Sequence, residues 1–362
     1  MRLALDLSRA THGQTHPNPA VGAVVVSRGA IVGIGAHLRA GEAHAEVHAL
    51  RMAGARAEGA TLYVTLEPCA HVGRTPPCAD LIIKKRLQRV VIASHDPNPL
   101  VAGKGIARMR AAGITVETGV LREEADAVNA DFFHFMRTHR PWVTLKIAAS
   151  LDGKTATCAG ESKWITGEDA RRDGHVLRQQ HDAVLVGIGT VLADDPRLTV
   201  RVGQPPRQPV RVVLDTMLRI PESAQLLTDH AAPTWLFTGT ASDACKAERL
   251  RSDFVRVFRL RSERVAVADV LATLADNEIL SVLVEGGAAV RGSFLTAGLF
   301  DRVVSYVAPS FIGGTEALSS VGGSGIARLA DLVPLRMTSV RQLGTDIRLT
   351  AEREGESECL PD

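Results

Sequence analysis

A chain of 362 residues has room for two domains, each with a core of its own. Its 45% hydrophobic and 23% charged content is that of a globular protein, and 42 basic against 40 acidic residues leave a formal charge of +2, too balanced to favour nucleic acid or an anionic membrane. No run of 18 apolar residues occurs, so no membrane-spanning helix is expected. The opening MRLALDLSRATHGQ reads as a short amphipathic helix with Leu3, Leu7 and Ala10 on one side, without the apolar stretch and cleavage site of a secretory signal. AVGAVVVSRGAIVGIGAHL reads as two strands joined by a turn at 27–29, and HAEVHALRMAG as a helix closed by Gly54. TLYVTLEPC is a strand stopped by a proline, CADLIIKKRL a helix, RVVIASHDPNP a buried strand and GIARMRAAGI a further helix. Strands alternating with helices predict an α/β sandwich.

The helical segment LREEADAVNADFFHFMRTH, rich in charge and aromatics, leads to Pro141, where a fresh strand begins in PWVTLKIAASLDG. The boundary is placed there, giving domains 1–139 and 140–362. The second repeats the α/β logic with HDAVLVGIGTVLADD, PVRVVLDT, APTWLFTG, ILSVLVEGG and RVVSYVAPSFIGG, and no internal repeat relates the halves. Five cysteines are too few and too odd in number for a disulfide framework. Cys158, Cys245 and Cys359 read as unpaired thiols, and a reducing cytoplasm is the expected compartment.

Cys69 and Cys78 are different, because His44 and Glu46 precede them. A catalytic zinc takes three protein ligands and keeps a fourth position for water, whose pKa falls toward about 7. His44, Cys69 and Cys78 supply one imidazole and two thiols, and Glu46 reads as a proton carrier beside them. His-x-Glu followed by a thiol pair is the pattern of zinc-dependent nucleobase deaminases, although here eight residues separate the thiols instead of two. A structural zinc with His71 or His48 as fourth ligand is the competing reading. His48, one helical turn past His44, reads rather as a packing residue, and His12 and His16 as surface residues. In the second half, GIGTVL lacks the third glycine of a Rossmann fingerprint, as GIGAHL does in the first. LVEGGAAVRGS sets Gly286 and Gly287 between a buried strand and a helix, where amides can hold a phosphate, although a plain turn is the simpler reading.

HPNPAVGAVVV, GIGAHLRAGEAHAEVHAL, TLYVTLEPCAHVGRTPPCADLI and HDPNP, followed by LKIAASLDGKTA, GESKWITG, GTVLADDPRLTVR, VLDT and VEGG, stand in one order along the chain. In these the chain resembles, over nearly its whole length, the bifunctional deaminase–reductases of riboflavin biosynthesis. The resemblance implies a cytidine-deaminase-like α/β/α sandwich followed by a dihydrofolate-reductase-like α/β domain. It implies zinc on His44, Cys69 and Cys78 with Glu46 as proton shuttle, base and ribose contacts from Asn18, His37, His71, Asp96 and Asn98, and Arg74 near the phosphate. It implies NADPH against Ala148, Trp164, Thr190, Asp194, Thr216 and the run Gly287, Ala288, Ala289, Val290, Arg291, Gly292 and Ser293. Substrate is implied against Ser162, Arg178, Leu198, Arg201 and Glu285, with Lys146 and Glu285 the candidates near the reacting carbon.

The implied reactions are deamination of 2,5-diamino-6-ribosylamino-4(3H)-pyrimidinone 5′-phosphate and reduction of its ribosyl group, giving 5-amino-6-ribitylamino-uracil 5′-phosphate. The expected partner is that small phosphorylated pyrimidine, with no nucleic acid and no membrane, in a homodimer or homotetramer. A deaminase with an inactive reductase half, and a zinc-stabilised nucleotide-binding protein, are the alternatives. Glu46 speaks against the second, since a structural zinc has no use for a neighbouring acid.

Overall fold

The computed structural model describes residues 1–70, 77–98, 102–203, 205 and 207–354. They form two compact units, Met1–Arg140 and Pro141–Asp362. In the first, α1 (Arg2–Thr11) precedes β1 (Gly22–Ser27) and β2 (Ala30–Ala36). There follow α2 (Ala45–Ala53), β3 (Thr61–Leu66), α3 (Cys78–Lys84), β4 (Arg89–Ser94), α4 (Lys104–Ala111), β5 (Thr115–Thr118), α5 (Arg122–Val128) and α6 (Ala130–Thr138). The sheet runs β2-β1-β3-β4-β5, with β3, β4 and β5 parallel.

Register explains the layers. Ala23 and Val25 pair with Gly35 and Gly33, so these four share one face of the sheet, while Gly22 and Val24 share the other with Ala36 and Ile34. A Cβ on Gly33 or Gly35 would lie 2.1 or 2.2 Å from the Ala49 or Ala45 carbonyl oxygen of α2, and one on Gly22 would lie 1.9 Å from that of Ala4 in α1. Helices α1 and α2 therefore cover opposite faces, with backbone packed against backbone. This close approach corrects the face expected for α1. Ala4, Leu5, Ser8 and Thr11 are buried, whereas Leu3 is 40% exposed, because the strand approaches on the side of the small Ala4. The helical segment after Leu121 breaks at Asn129, whose side chain accepts from Ala20 N–H (2.8 Å) and donates to the Ala20 carbonyl (3.0 Å).

The second unit opens with β6 (Trp142–Ser150), α7 (Glu168–Gln179), β7 (Ala183–Gly187), α8 (Ile188–Asp194), β8 (Val210–Leu214), α9 (Gln225–Thr228) and β9 (Thr234–Thr238). It continues with α10 (Ala244–Leu250), β10 (Val255–Arg259), α11 (Val267–Ala275), β11 (Ser281–Val284), α12 (Ala288–Ala297), β12 (Arg302–Ala308), β13 (Leu335–Leu343) and β14 (Asp346–Arg353). The sheet order is β10-β9-β8-β7-β11-β6-β12-β14-β13. Every pairing from β10 to β12 is parallel, and β14 and β13 add an antiparallel hairpin at the edge. Along β7, Val184 and Val186 enter one core with Leu177 of α7, and Leu185 enters the other with Leu271 of α11 and Phe294 of α12. Both faces are covered, which is why these strands read as unbroken apolar runs. The chain leaves β6, β7, β8 and β11 at their carboxyl ends, where parallel sheets bind ligands.

Candidate active sites

In the first unit the helix starts set the metal centre. His44 is the residue before α2, Glu46 lies in that helix's first turn, and Cys78 is the first residue of α3. Cys69 follows β3, and its backbone and sulfur are both tied to the start of α3. Ala79 N–H donates to the Cys69 carbonyl (3.1 Å), and Cys78 N–H donates to Cys69 Sγ (3.3 Å). His44 Nδ1 lies 3.7 Å from Cys69 Sγ and 3.3 Å from Cys78 Sγ. Ligands on a tetrahedral zinc, with Zn–S of about 2.3 Å and Zn–N of about 2.0–2.1 Å, stand roughly 3.6 Å apart. The donor set therefore fits zinc. A hydrogen bond shared with Cys78 draws the Cys69 thiol down to about 4, and the same bond pushes the Cys78 thiol up. Glu46 is buried, which raises its carboxyl, and the nearby His44 only partly opposes this.

Two substrate-side residues named from the sequence meet here. His37 Nδ1 lies 3.2 Å from the Ala43 carbonyl and so carries the proton, which leaves Nε2 to accept from the Asn18 amide at 3.1 Å. The His37 ring stands edge-on to His44, with centroids 5.3 Å apart. Asp96 and Asn98 follow β4, the neighbour of β3, and Asn98 N–H donates to Asp96 Oδ1 (2.9 Å). His71 and Arg74 lie outside the described residues. The sequence pattern gave no hint of Glu67, a buried carboxylate that accepts from Gly103 N–H (3.1 Å) and Ile106 N–H (3.4 Å) and so ties the stretch before Cys69 to α4. His48 packs with its Cβ toward Gly35 of β2. The expectation that His12 and His16 are surface residues is overturned. The His16 side chain is only 4% exposed, and both rings face the buried Asp131.

In the second unit the centre is Glu285, directly after β11. Arg178 of α7 grips it with Nε (2.6 Å) and Nη2 (2.9 Å), and gives Nη1 to the Thr199 carbonyl (3.0 Å). Lys146 of β6 stands 3.8 Å from Glu285 and 5.8 Å from the centre of the Tyr306 ring. Burial favours a neutral carboxyl, but Arg178 and Lys146 outweigh it and hold Glu285 at about 2. Burial lowers the Lys146 ammonium, and Glu285 opposes that. Arg201 is lowered by burial and then by the like charges of Arg178 and Arg197. Three cations thus surround one carboxylate, a balance that suits an added phosphate.

Two further features of this cluster carry no signal in the sequence. His175, one turn before Arg178, is pushed to about 4 by burial and by Arg178 and Arg201. Tyr306 donates to Asp173 Oδ2 (2.6 Å), and Arg348 approaches the same carboxylate at 3.0 Å. These residues come from distant parts of the chain and form no local motif.

The residues named for the nucleotide divide by what their side chains do. Lys163 pairs with Asp194 (2.8 Å), which links the loop bearing the exposed Ser162 and Trp164 to the end of α8, and Arg171 lies over the Trp164 ring at 4.7 Å. Thr190 lies on α8, Ala148 on β6 against the core, and Thr216 after β8, where its Oγ1 accepts from Val265 N–H (3.4 Å). Leu198 has its side chain in the core, so only its backbone, turned by a φ of 52°, is left for a ligand. Gly187 and Gly286 close around Val290, because a Cβ on either would meet that side chain at 2.7 or 2.8 Å. Arg291 donates to the Gly286 and Ser320 carbonyls, Gly292 abuts Gly322, and Ser293 donates to Ala289 O (3.0 Å). Space remains beside Gly287, the residue before α12, where the first amides of Ala288 and Ala289 begin the helix.

Known proteins share the features of both units. The family model for the RibD C-terminal domain matches residues 141–349, and that for the cytidine and deoxycytidylate deaminase zinc-binding region matches residues 1–94. Riboflavin biosynthesis protein RibD of Bacillus amyloliquefaciens is 57% identical over 351 residues, 97% of this chain and 95% of that protein. Its counterpart in Escherichia coli K12 is 43% identical over 362 residues, covering 96% and 97%. Among solved structures, RibD of Acinetobacter baumannii aligns with a TM-score of 0.87 at 40% identity over 98% of both chains. A diaminohydroxyphosphoribosylaminopyrimidine deaminase/5-amino-6-(5-phosphoribosylamino)uracil reductase of Thermotoga maritima aligns with a TM-score of 0.87 at 35% identity, over 98% and 97%. With a cytidine-deaminase-like unit followed by a dihydrofolate-reductase-like one, the chain belongs to the RibD family, the zinc- and NADPH-dependent deaminase–reductases of riboflavin biosynthesis.

Proposed function

We propose that residues 1–139 deaminate 2,5-diamino-6-ribosylamino-4(3H)-pyrimidinone 5′-phosphate and that residues 140–362 reduce the ribosyl group of the product. The observation that carries this is a three-donor centre of His44, Cys69 and Cys78 beside the buried Glu46. Zinc bound there supplies the Lewis acidity that activates water at neutral pH. Glu46 takes a proton from the attacking water and delivers protons to the ring nitrogen and the leaving ammonia, a task suited to a carboxyl raised by burial. Asn18 orients the pyrimidine edge, and His37 fixes the Asn18 amide through its accepting Nε2. Asp96 and Asn98 are assigned to the ribose, and Arg74 to the phosphate.

In the reductase half NADPH supplies the hydride. The amides at Gly287, Ala288 and Ala289 are assigned to its phosphates, because the start of a helix favours anions. Val290, Arg291, Gly292 and Ser293 act by shaping that turn. Trp164, Thr190, Asp194 and Thr216 line the cofactor's path, and Ala148 forms its floor. Arg178 and Glu285 neutralise each other, so Arg201, together with Ser162, is assigned to the substrate phosphate. Lys146 is the proton source beside the reacting carbon, its ammonium lowered by burial and steadied by Glu285.

A homo-oligomer, dimer or tetramer, is supported by the edge strand β13, where Met337 and Val340 stand more than half exposed. A cytoplasmic setting is supported by exposed free thiols at Cys158 and Cys245. No helix among the described residues is long and apolar enough to cross a membrane. The test is to give the purified full chain the diamino pyrimidine with and without NADPH, following ammonia release and NADPH oxidation separately. Ammonia should appear in both cases, and NADPH should be consumed only after deamination. Ammonia without any NADPH oxidation, even on the deaminated substrate, would leave the chain a deaminase with an inactive second half.

A further inference from the structure

We propose that His12, His16 and Asp131 form a second metal site, for a divalent transition ion of the Zn²⁺, Co²⁺ or Ni²⁺ type, distinct from the centre at His44, Cys69 and Cys78. The three candidate donor atoms all lie within 4.8 Å of one another. Nε2 of His12 and Nε2 of His16 approach the same oxygen, Asp131 Oδ2, at 3.3 and 3.1 Å. Two ligands held at about 2.0–2.2 Å on a tetrahedral ion stand roughly 3.3–3.5 Å apart, so each imidazole is within a few tenths of an ångström of the separation from Asp131 Oδ2 that a shared ion requires. The other oxygen, Oδ1, accepts from the Phe132 N–H at 2.8 Å, which fixes the carboxylate plane and leaves Oδ2 for the ion.

Burial favours the same assignment. Asp131 is 5% exposed, and a carboxylate withdrawn that far from water calls for a compensating positive charge. The His12 ring is 21% exposed and gives an ion a way in. Two imidazoles with a single carboxylate offer too few oxygens for Ca²⁺ or Mg²⁺ and suit the later first-row metals. His12 and His16 are four residues apart, within the spacing that zinc sites use.

The site would clamp one loop. His12 ends α1 and His16 lies in the stretch leading to β1, while Asp131 is in the first turn of α6. That loop also carries Asn18, and Asn129 already ties Ala20 to the start of the same helix. The value of the clamp for Asn18 rests on the function proposed above, but the metal count does not.

The experiment loads the full-length chain with Co²⁺ alone. One equivalent should produce the thiolate-to-cobalt absorption of the cysteine centre. A second should bind without adding to that band, for a total of about two ions per chain. His12→Ala and Asp131→Asn should each bind about one ion and keep the thiolate band in full. Cys69→Ser should lose the band and keep the second ion. Saturation of the unaltered chain at about one equivalent would overturn the proposal, as would uptake of two by His12→Ala. The His12 ring sits at the edge of the cluster, so that variant decides between the outcomes even if Asp131→Asn fails to fold. In the first overturning outcome the three residues are a buried carboxylate hydrogen-bonded by two imidazoles.

Discussion

The metal centre of the first unit and the charge cluster of the second are assembled in opposite ways. The first draws its four key residues from two short segments, 44–46 and 69–78, and wires them to the first turns of α2 and α3. The second gathers Lys146, Arg178, Arg201 and Glu285 from a strand, a helix and two loops; charge pairs Lys146 and Arg178 with Glu285, and Arg201 stands nearby among like charges. In the proposed metal centre each residue would have a task no neighbour can take over. In the cluster one residue's loss changes what the others are free to do.

The largest effects should come from breaking the metal centre. Cys69→Ser or Cys78→Ser should lose both zinc and deamination. Glu46→Gln should keep the zinc while ammonia release falls about 10²- to 10⁴-fold, the usual worth of a positioned proton carrier. Metal analysis beside the ammonia assay separates the roles, and zinc lost from Glu46→Gln would make that residue a ligand.

Breaking the cluster should first cost stability. Glu285→Gln leaves the Arg178 guanidinium, only 15% exposed, without its countercharge, a change worth about 3–5 kcal/mol. The sign with pH follows from a carboxyl held at about 2, below the roughly 4.3 of a free glutamate. Its stabilising contribution is complete above about pH 4.3 and is lost as pH falls toward 2. Urea midpoints of the unaltered chain and the variant should therefore differ widely at pH 7, by roughly half as much near pH 3, and converge only near pH 2. An equal gap at all three values would show that the ion pair is not its source.

A smaller effect sharpens the division between the two arginines. Arg201→Ala should raise KM for the phosphorylated pyrimidine by roughly tenfold to a hundredfold, as loss of a charge-assisted contact worth about 1.5–3 kcal/mol would do. KM for the dephosphorylated pyrimidine, and deamination in the other unit, should hardly change. Equal losses on both pyrimidines would assign Arg201 to the fold or to the cofactor.

The contrast also explains what could be read in advance. His44, Glu46, Cys69 and Cys78 stood out because thiols and imidazoles at such spacing are rare, and the helix starts that hold them follow from the local sequence. Lys146, Arg178 and Glu285 are common residue types, which only the resemblance could single out. His175 and the Tyr306–Asp173–Arg348 group had no signal at all, since partners 133 and 175 positions apart meet only in the finished sheet. The buried face of α1 was misread because the periodicity of Leu3 and Leu7 says nothing about a strand arriving against Ala4. His12 and His16 looked exposed because their burial depends on Asp131, more than a hundred residues away.

Gly33 and Gly35 of β2 carry no chemistry, yet they set how low α2 lies on the sheet, and α2 begins at the metal centre. Any side chain at either position would act as a wedge under the carbonyls of Ala45 and Ala49, and the movement would be felt at the proposed ligand His44 and the proposed proton carrier Glu46. Mutational tolerance around the deamination site is therefore uneven in an unexpected direction. The constraint falls on the two positions behind the helix, which can accept almost nothing larger than hydrogen, while their strand neighbours Ile31 and Ile34 stand 57% and 37% exposed.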